Sequence, residues 1–320
     1  MRRARLAVFG LVLAPSLAPS LMPSWALAQA ARAPTESVTV TGARDRQVLD
    51  KFVQSFAAPT HLIGKMARWE DGICPITVGL RPAAASFITQ RVKGAAVQVG
   101  APVNSKEGCE HNVAIIFTSA PQALLDNIRK KQPWFLGYAD NSDQTKKLAA
   151  ITRPIQAWYL TATKDLKGSI EIDSSKTVGL GLQIDVPCPA PAPSASMCTY
   201  FFPNAHAASV TGNHLGDGLR SIFHVVTIVV DPTKLVDYEI GSLADYIALL
   251  ALTQLNSLDT CQQLPSIVNL LAENCATKSS ALTENDFAYL RGLYKMSSNM
   301  NLGTQKNEIS YQMEQALKGQ

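Results

Sequence analysis

Two spacings of hydrophobic residues alternate along the chain and predict helices and strands in turn. Apolar positions recur at helical spacing in 44–56 and in 83–99. Gly100 follows the second of these segments, as glycine commonly does at the end of a helix. The apolar runs at 73–80 and 111–118 are short and predict strands.

The order of these elements predicts the fold class. A helix that begins at Pro121 and a strand at 155–161 continue the alternation, and the β-rich run 225–231 adds a later strand. The strand at 111–118 is apolar on both faces, which is typical of a central parallel strand. We therefore predict an α/β (α+β) fold in which the long helix 83–99 packs on a mixed, twisted sheet.

The segment 242–256 is the most apolar helix candidate in the chain. Its leucines, alanines and isoleucine leave no wide polar face, so we predict a buried central helix. Ser242 and Asp245 have the spacing of a capping box, which predicts the start of this helix. We expect it to lie in a single domain over 44–296, followed by a polar C-terminal tail or exposed helix over 297–320.

Composition and charge narrow the classes of partner. Hydrophobic residues make up 47% of the chain and charged residues 17%, which is sufficient for a sizeable core. The formal net charge is +4, but Arg2, Arg3 and Arg5 lie in a predicted signal peptide. Without those three arginines, 26 of the 29 basic residues remain against 25 acidic ones. A nearly neutral mature chain argues against nucleic acid or an anionic membrane as an obligatory partner.

The N-terminal segment has the pattern of a secretory signal. A basic start, an apolar run and two A-x-A sites predict a signal peptide over 1–28, cleaved after residue 28 or 30. We expect residues 29–43, which follow the predicted cleavage site, to form a polar, flexible leader. We expect a periplasmic or secreted protein without a stable membrane anchor after cleavage.

Cysteine usage agrees with export. The chain has six cysteines, which in an exported protein predict disulfides. About 15 pairings are possible for six cysteines, and none of these cysteines has the C-x-x-C spacing of a zinc or redox motif. The pairing that we predict joins neighbours along the chain: Cys74 with Cys109, Cys188 with Cys198, and Cys261 with Cys275.

A cluster of candidate metal ligands lies between the middle of the chain and the late strand. His206, His214, Asp217 and His224 carry side chains that bind zinc well, although their spacing matches no established pattern. The chain has no G-x-S-x-G nucleophile elbow and no complete dinucleotide-binding fingerprint. This cluster is therefore the sharpest alternative site for an enzyme.

The predicted central helix resembles the zinc helix of the metzincin endopeptidases, HExxHxxGxxH. The β-rich run 225–231 precedes it, like the strand ahead of the zinc helix, and 266–269 follows like the segment around the Met-turn. The segment 282–294 is similar to the final helix of matrixin-type catalytic domains. The motif positions are occupied, in order, by Ala244, Asp245, Ala248, Ala251 and Gln254.

The resemblance implies a zincin-like fold that has lost its zinc ligands. Alanine offers no ligand atom, and without zinc a water molecule keeps its ordinary high pKa, whereas bound zinc lowers the pKa of water to about 7. We therefore expect no peptide hydrolysis at these positions and no cofactor. Asp245 then serves as a helix cap, and the three alanines serve close packing.

These observations lead to one prediction of function and two alternatives. We predict a non-catalytic, metzincin-like envelope protein that binds an unknown peptide or envelope protein in a degenerate substrate cleft. Metzincins hold an extended substrate along a sheet edge, which is recognition by strand addition. The alternatives are a metal-dependent hydrolase with a displaced site in 206–224 and a purely structural secreted domain.

Overall fold

The structure is a computed structural model, which describes residues 46–173 and 218–318 and the backbone of 182–187 and 197–202. Seven α-helices lie in these residues: α1 Arg46–Phe56, α2 Pro82–Val99, α3 Pro121–Lys131, α4 Ser142–Leu148, α5 Ile240–Leu252, α6 Glu284–Lys295 and α7 Leu302–Lys318. The same residues contain these strands: β1 Pro75–Val78, β2 Val113–Phe117, β3 Ile155–Lys164, β4 Ile170–Ile172, β5 Leu182–Pro187, β6 Met197–Phe202 and β7 Arg220–Val230.

Five strands form a mixed, open sheet in the order β1-β2-β7-β3-β4. Strands β1, β2 and β7 are parallel, with β2 between the other two, as its apolar sequence predicts. Strand β3 runs antiparallel to β7, so the early βαβ alternation does not continue to this strand. Strands β5 and β6 form a separate antiparallel pair. The predicted mixed α/β fold is thus confirmed at this level.

Local signals explain where α2 and α3 begin and end. Gly100 caps α2 with a left-handed backbone of φ 79°, and its N–H contacts the carbonyls of Ala96 and Val97. Such a φ is strained for residues that carry a Cβ, which accounts for the glycine. Pro121 is the first residue of α3, where its missing N–H removes no helical hydrogen bond.

The sheet separates two hydrophobic cores. All residues of β2 are buried, and they alternate between the cores: Ile115 packs with the helices α1, α2, α5 and α6, whereas Ile116 packs with α3. This alternation follows from the two-residue repeat of a strand. The sheet therefore has a large helical layer on one face and a smaller layer on the other.

Helix α5 is buried as predicted, but its boundaries differ from 242–256. Glu239 is the N-cap residue and makes no side-chain cap, and Ser242 lies inside the helix, so the predicted capping box is wrong. The Asp245 side chain is engaged elsewhere, which a local Ser-x-x-Asp spacing does not reveal. The helix ends early because Thr253 has an extended backbone, with φ −153° and ψ 147°.

One face of the C-terminal helix packs in the domain core, whereas we expected an exposed tail or helix. Ile309 and Met313 of α7 have 0% exposed surface and pack in the large core. Gly292 of α6 permits the contact, because a Cβ there would lie 2.9 Å from the Ile309 carbonyl oxygen. Thr283 and Asp286 form a full capping box at the start of α6.

Two of the predicted disulfides are present. Cys74 bonds with Cys109 and Cys261 bonds with Cys275, which is consistent with an oxidising compartment. Cys188 lies outside the described residues, and Cys198 lies in β6, of which only the backbone is described. The predicted signal peptide and leader also lie outside them. Within the described ranges, no helix has the length and apolarity needed to span a membrane.

Candidate groove at the edge of β3

The three alanines at the metzincin-like positions lie in the large core. Ala244, Ala248 and Ala251 each have 0% exposed surface. They contribute close packing around α5 and offer no side-chain ligand atom to a metal. The segment that resembles the metzincin motif therefore does not form the floor of an open cleft at these three positions.

Asp245, which the resemblance aligns with the glutamate of the metzincin motif, is bound by Arg91 of α2. Its side chain is 1% exposed, and that of Arg91 is 48% exposed. The Nη2 atom of Arg91 donates to Oδ2 at 2.8 Å, and Nε donates to Oδ1. The N–H of Leu282 also donates to Oδ2 at 3.0 Å. The carboxylate is thus a structural link between helices and the chain entering α6, not a helix cap.

Aromatic side chains satisfy the carbonyl groups at the buried end of α5. The Tyr159 hydroxyl donates to the carbonyls of Leu250 and Thr253, at 2.9 and 3.0 Å. Trp69 Nε1 donates to the Ala251 carbonyl at 2.8 Å. Burial raises the pKa of Tyr159 far above its usual value, so the hydroxyl remains a donor at neutral pH. A second tyrosine, Tyr294, donates to the carbonyl of Leu252.

Gln254, the next motif position, reaches a cavity of about 260 Å³ that lies beside strand β3. Trp158 from the smaller core and Leu250 from the larger core both line this cavity. Because side chains from the two faces of the sheet meet there, the cavity straddles the outer edge of the sheet. Its polar lining is mostly neutral: Thr60, Gln156, Thr161, Gln254, Asn256 and Ser257.

The outer edge of β3 is open over most of its length among the described strands. Strand β4 pairs with β3 only from Ala162 to Lys164, and no other described strand pairs with that edge. The Asp231 N–H donates to the Pro154 carbonyl, so antiparallel alternation directs the backbone groups of Ala157 and Tyr159 away from β7. Ala157 lines the cavity, where its N–H and C=O can meet a ligand.

Gly137 brings a loop close to this edge at Tyr159. Its φ is 91°, and a Cβ there would lie 2.9 Å from the Tyr159 carbonyl oxygen. Next to it, the rings of Tyr138 and His61 stack with centroids 4.9 Å apart. The loop thus lies at one end of the open edge of β3. Its close approach is at Tyr159, so this contact does not cover the part of the edge near Ala157.

Two further cavities adjoin the first one. A cavity of about 410 Å³ shares Arg153 and Leu258 with it, and a cavity of about 470 Å³ shares Gly137. We name the three adjoining cavities the β3-edge groove. One of its walls is the chain after α5, which the Cys261–Cys275 disulfide closes into a loop.

Arg153 and Asp259 form an ion pair across this groove. The Nε atom of Arg153 donates to Oδ1 of Asp259 at 2.6 Å, and Nη2 donates to Oδ2. Hydrogen bonding from Arg153 lowers the pKa of the Asp259 carboxyl, and the same contact raises the pKa of the Arg153 guanidinium. The Arg153 side chain is 30% exposed and that of Asp259 is 68% exposed.

The alternative metal cluster is not assembled in the described residues. His206, His214 and Asp217 lie outside them, and His224 lies half-buried within β7. His224 is the extra residue where the register between β3 and β7 shifts, because Phe223 pairs with Thr161 and Val225 with Leu160. Among the residues that the structure describes, no three histidine, cysteine or acidic side chains gather as metal ligands.

Sequence reasoning located Gln254 but missed the rest of the groove. Arg153, Gln156 and Asp259 carry no local motif, and the residues that line the groove come from separate segments of the chain. Gly137 is the nearest signal in the sequence, since a glycine often marks a turn, but its role at the edge of β3 follows only from the observed φ of 91°. Comparison of the chain with protein-family models, curated proteins and solved structures found no match.

Proposed function

We propose that this chain is a non-catalytic, metzincin-like binding protein of the periplasm or the extracellular space, which holds an extended peptide segment in the β3-edge groove. The observation that carries the proposal is the open edge of β3 beside a cavity that also contains Gln254. An exposed sheet edge offers unpaired N–H and C=O groups to an incoming strand, and adjoining cavities accept its side chains.

The non-catalytic part of the proposal rests on the motif residues. Alanine at positions 244 and 248 supplies no ligand atom, and the Asp245 carboxylate is occupied by Arg91 and the Leu282 N–H. A general base in a peptidase must reach an activated water, whereas this carboxylate is 1% exposed. The zincin-like relation itself is supported by the order of β7, α5 and α6 along the chain.

Neutral polar side chains make the groove suited to a peptide backbone. Gln254 and Asn256 each carry an amide that can both donate and accept a hydrogen bond, whereas the amide of Gln156 is already bonded to Thr152 and Ala150. Leu136 and Leu255 add apolar surface beside them. This mixture fits the alternating polar and apolar surface of an extended peptide.

A peptide-selection experiment tests the proposal. The oxidised chain from Gln29 is immobilised and incubated with a random-sequence pool of short synthetic peptides, and the retained peptides are sequenced by mass spectrometry. We expect enriched sequences that bind with micromolar dissociation constants. In hydrogen exchange, the bound peptide should protect the amide of Ala157, which we infer faces away from β7.

Two variants separate strand addition from unspecific adhesion. Ala157→Pro removes the outward N–H but no hydrogen bond to β7, so it should abolish retention while the fold persists. Gln254→Ala should weaken binding, whereas Gln98→Ala, on the exposed surface of α2, is the matched control. Equal peptide retention by wild type and a folded Ala157→Pro protein would refute the proposal.

A further inference from the structure

Arg153 has a special position in the β3-edge groove, because two of the three cavities meet at its side chain. It lines both the cavity beside Gln254 and the neighbouring cavity toward Asn274. Among the described residues that line the cavity beside Gln254, Arg153 and His61 are the two whose side chains carry a basic group. A ligand that follows the edge of β3 therefore passes this guanidinium.

The partner that Arg153 holds in this structure belongs to the groove's own wall. Asp259 lies in the chain after α5, and its carboxylate meets the guanidinium at two points. Two-point contact is the arrangement in which arginine recognises a carboxylate with the greatest geometric selectivity. The free protein thus carries an internal carboxylate at a position where a ligand would be bound.

The exposure of the two partners indicates which of them can be displaced. Asp259 is 68% exposed, on a surface segment where water can solvate the released carboxylate. Arg153 is 30% exposed and is followed by Pro154, whose carbonyl is bound by the Asp231 N–H at the start of β3. Exchange of Asp259 for another carboxylate therefore costs little, whereas Arg153 remains in place.

We infer that Arg153 is the anion-recognition residue of the groove, and that it binds a carboxylate of the peptide, either its C-terminus or an acidic side chain, in place of Asp259. This inference rests on the proposed peptide-binding function and deepens it. Asp259 then acts as a built-in competitor that occupies the guanidinium until an acidic peptide arrives. Peptides whose C-terminus and acidic side chains are all amides lack the group that replaces it and bind less tightly.

The first test compares selected peptides that differ only in charge. Each enriched sequence is synthesised with its carboxylates free and with the same groups as amides, and binding is measured by calorimetry. We expect the free acids to bind about tenfold more tightly, as is typical for a charge-assisted contact. Arg153→Met should remove this difference, and Arg81→Met, at the opposite edge of the sheet, should preserve it.

The role of Asp259 as competitor predicts a gain. Asp259→Ala frees the guanidinium, so the acids should bind severalfold more tightly than to wild type, while the amides should bind unchanged. Asp237→Ala is the matched control, because Asp237 is also exposed. Weaker binding of acids to the Asp259→Ala protein, or equal binding of acids and amides to wild type, would overturn the inference and leave peptide binding itself intact.

A second measurement does not depend on peptide selection. The Nε–Hε resonance of Arg153 is followed by NMR during titration with N-acetylglycine, and N-acetylglycinamide serves as the neutral control. We expect a saturable shift with the acid alone, at lower concentration in Asp259→Ala. A shift without any retained peptide would support the anion site and refute the proposed function. Retained peptides without a shift would support the proposed function and refute the anion site.

Discussion

Arg91 of α2 holds the buried carboxylate of Asp245 in α5, although 154 residues separate the two in sequence. Their burial is unequal, since 48% of the Arg91 side chain is exposed and only 1% of the Asp245 side chain. Removal of Arg91 therefore leaves a buried carboxylate, whereas removal of Asp245 leaves a half-exposed guanidinium. The pair ties the long helix on the sheet to the central helix.

This asymmetry predicts the order of two destabilising substitutions. Arg91→Met leaves a buried charge without its ion-pair partner and should lower the free energy of unfolding by about 3–5 kcal/mol. Asp245→Asn leaves the arginine near water and should cost about 1–3 kcal/mol. Urea unfolding measures both, with Arg81→Met as the exposed control. If Asp245→Asn proved the more damaging of the two, the argument from unequal burial would fail.

The aromatic cap of α5 supplies a second prediction. Tyr159→Phe keeps the ring but removes the donor to the carbonyls of Leu250 and Thr253. The hydroxyl has a single proton that the two carbonyls share, so its loss should cost about 1–3 kcal/mol in total, and the variant should unfold at lower urea concentration. Tyr311→Phe, where the side chain is half exposed, should have the stability of wild type. Equal midpoints for both variants would mean that water replaces the Tyr159 hydroxyl.

The elements that the sequence predicts best are those with local determinants. Pro121 sets the observed start of α3, and Gly100 sets the observed end of α2, because each acts through its own backbone geometry. The burial of α5 also followed from its own residues. In contrast, the antiparallel direction of β3 depends on which strand it pairs with, and the hydrophobic pattern of a strand reads the same in both directions.

The candidate site was less predictable for a related reason. Ser242 and Asp245 have capping-box spacing, but a distant arginine binds the aspartate, and local spacing contains no information about such a partner. Gln254 was singled out through a resemblance, whereas Arg153 and Asp259 face each other only after the chain has folded around β3. A surface built from several segments has no signature in any one of them.

The disulfides should contribute unequally to stability. Closing the 35-residue separation of Cys74 and Cys109 restricts the unfolded chain more than closing the 14-residue separation of Cys261 and Cys275. Chain entropy predicts about 4 kcal/mol for the first and about 3 kcal/mol for the second. To compare the two contributions, both cysteines of one disulfide at a time are replaced by serine, and the thermal unfolding of each variant is measured in oxidising buffer. The reverse order would indicate that native contacts of the Cys261–Cys275 loop dominate over chain entropy.

Asp173 gives the domain a pH-dependent term whose sign can be worked out. Burial raises the pKa of its carboxyl, and the hydroxyls of Thr161 and Thr163, which donate to it, oppose this effect only in part. A raised pKa means that the folded state holds the proton more tightly than the unfolded chain. The associated stability is complete below the unfolded pKa of about 3.9 and is lost as pH rises through the folded value.

Substitution of this carboxyl should therefore change the pH profile of stability. Asp173→Asn cannot ionise, so its free energy of unfolding should increase relative to wild type as pH rises from about 3 to 7. Asp143→Asn, at a side chain that is 78% exposed, should keep the wild-type profile. Urea unfolding at several pH values gives the difference in the free energy of unfolding between wild type and each variant. A gap between wild type and Asp173→Asn that stays constant would show that the threonine hydrogen bonds cancel the effect of burial, and a gap that changes in the opposite direction would show that they outweigh it.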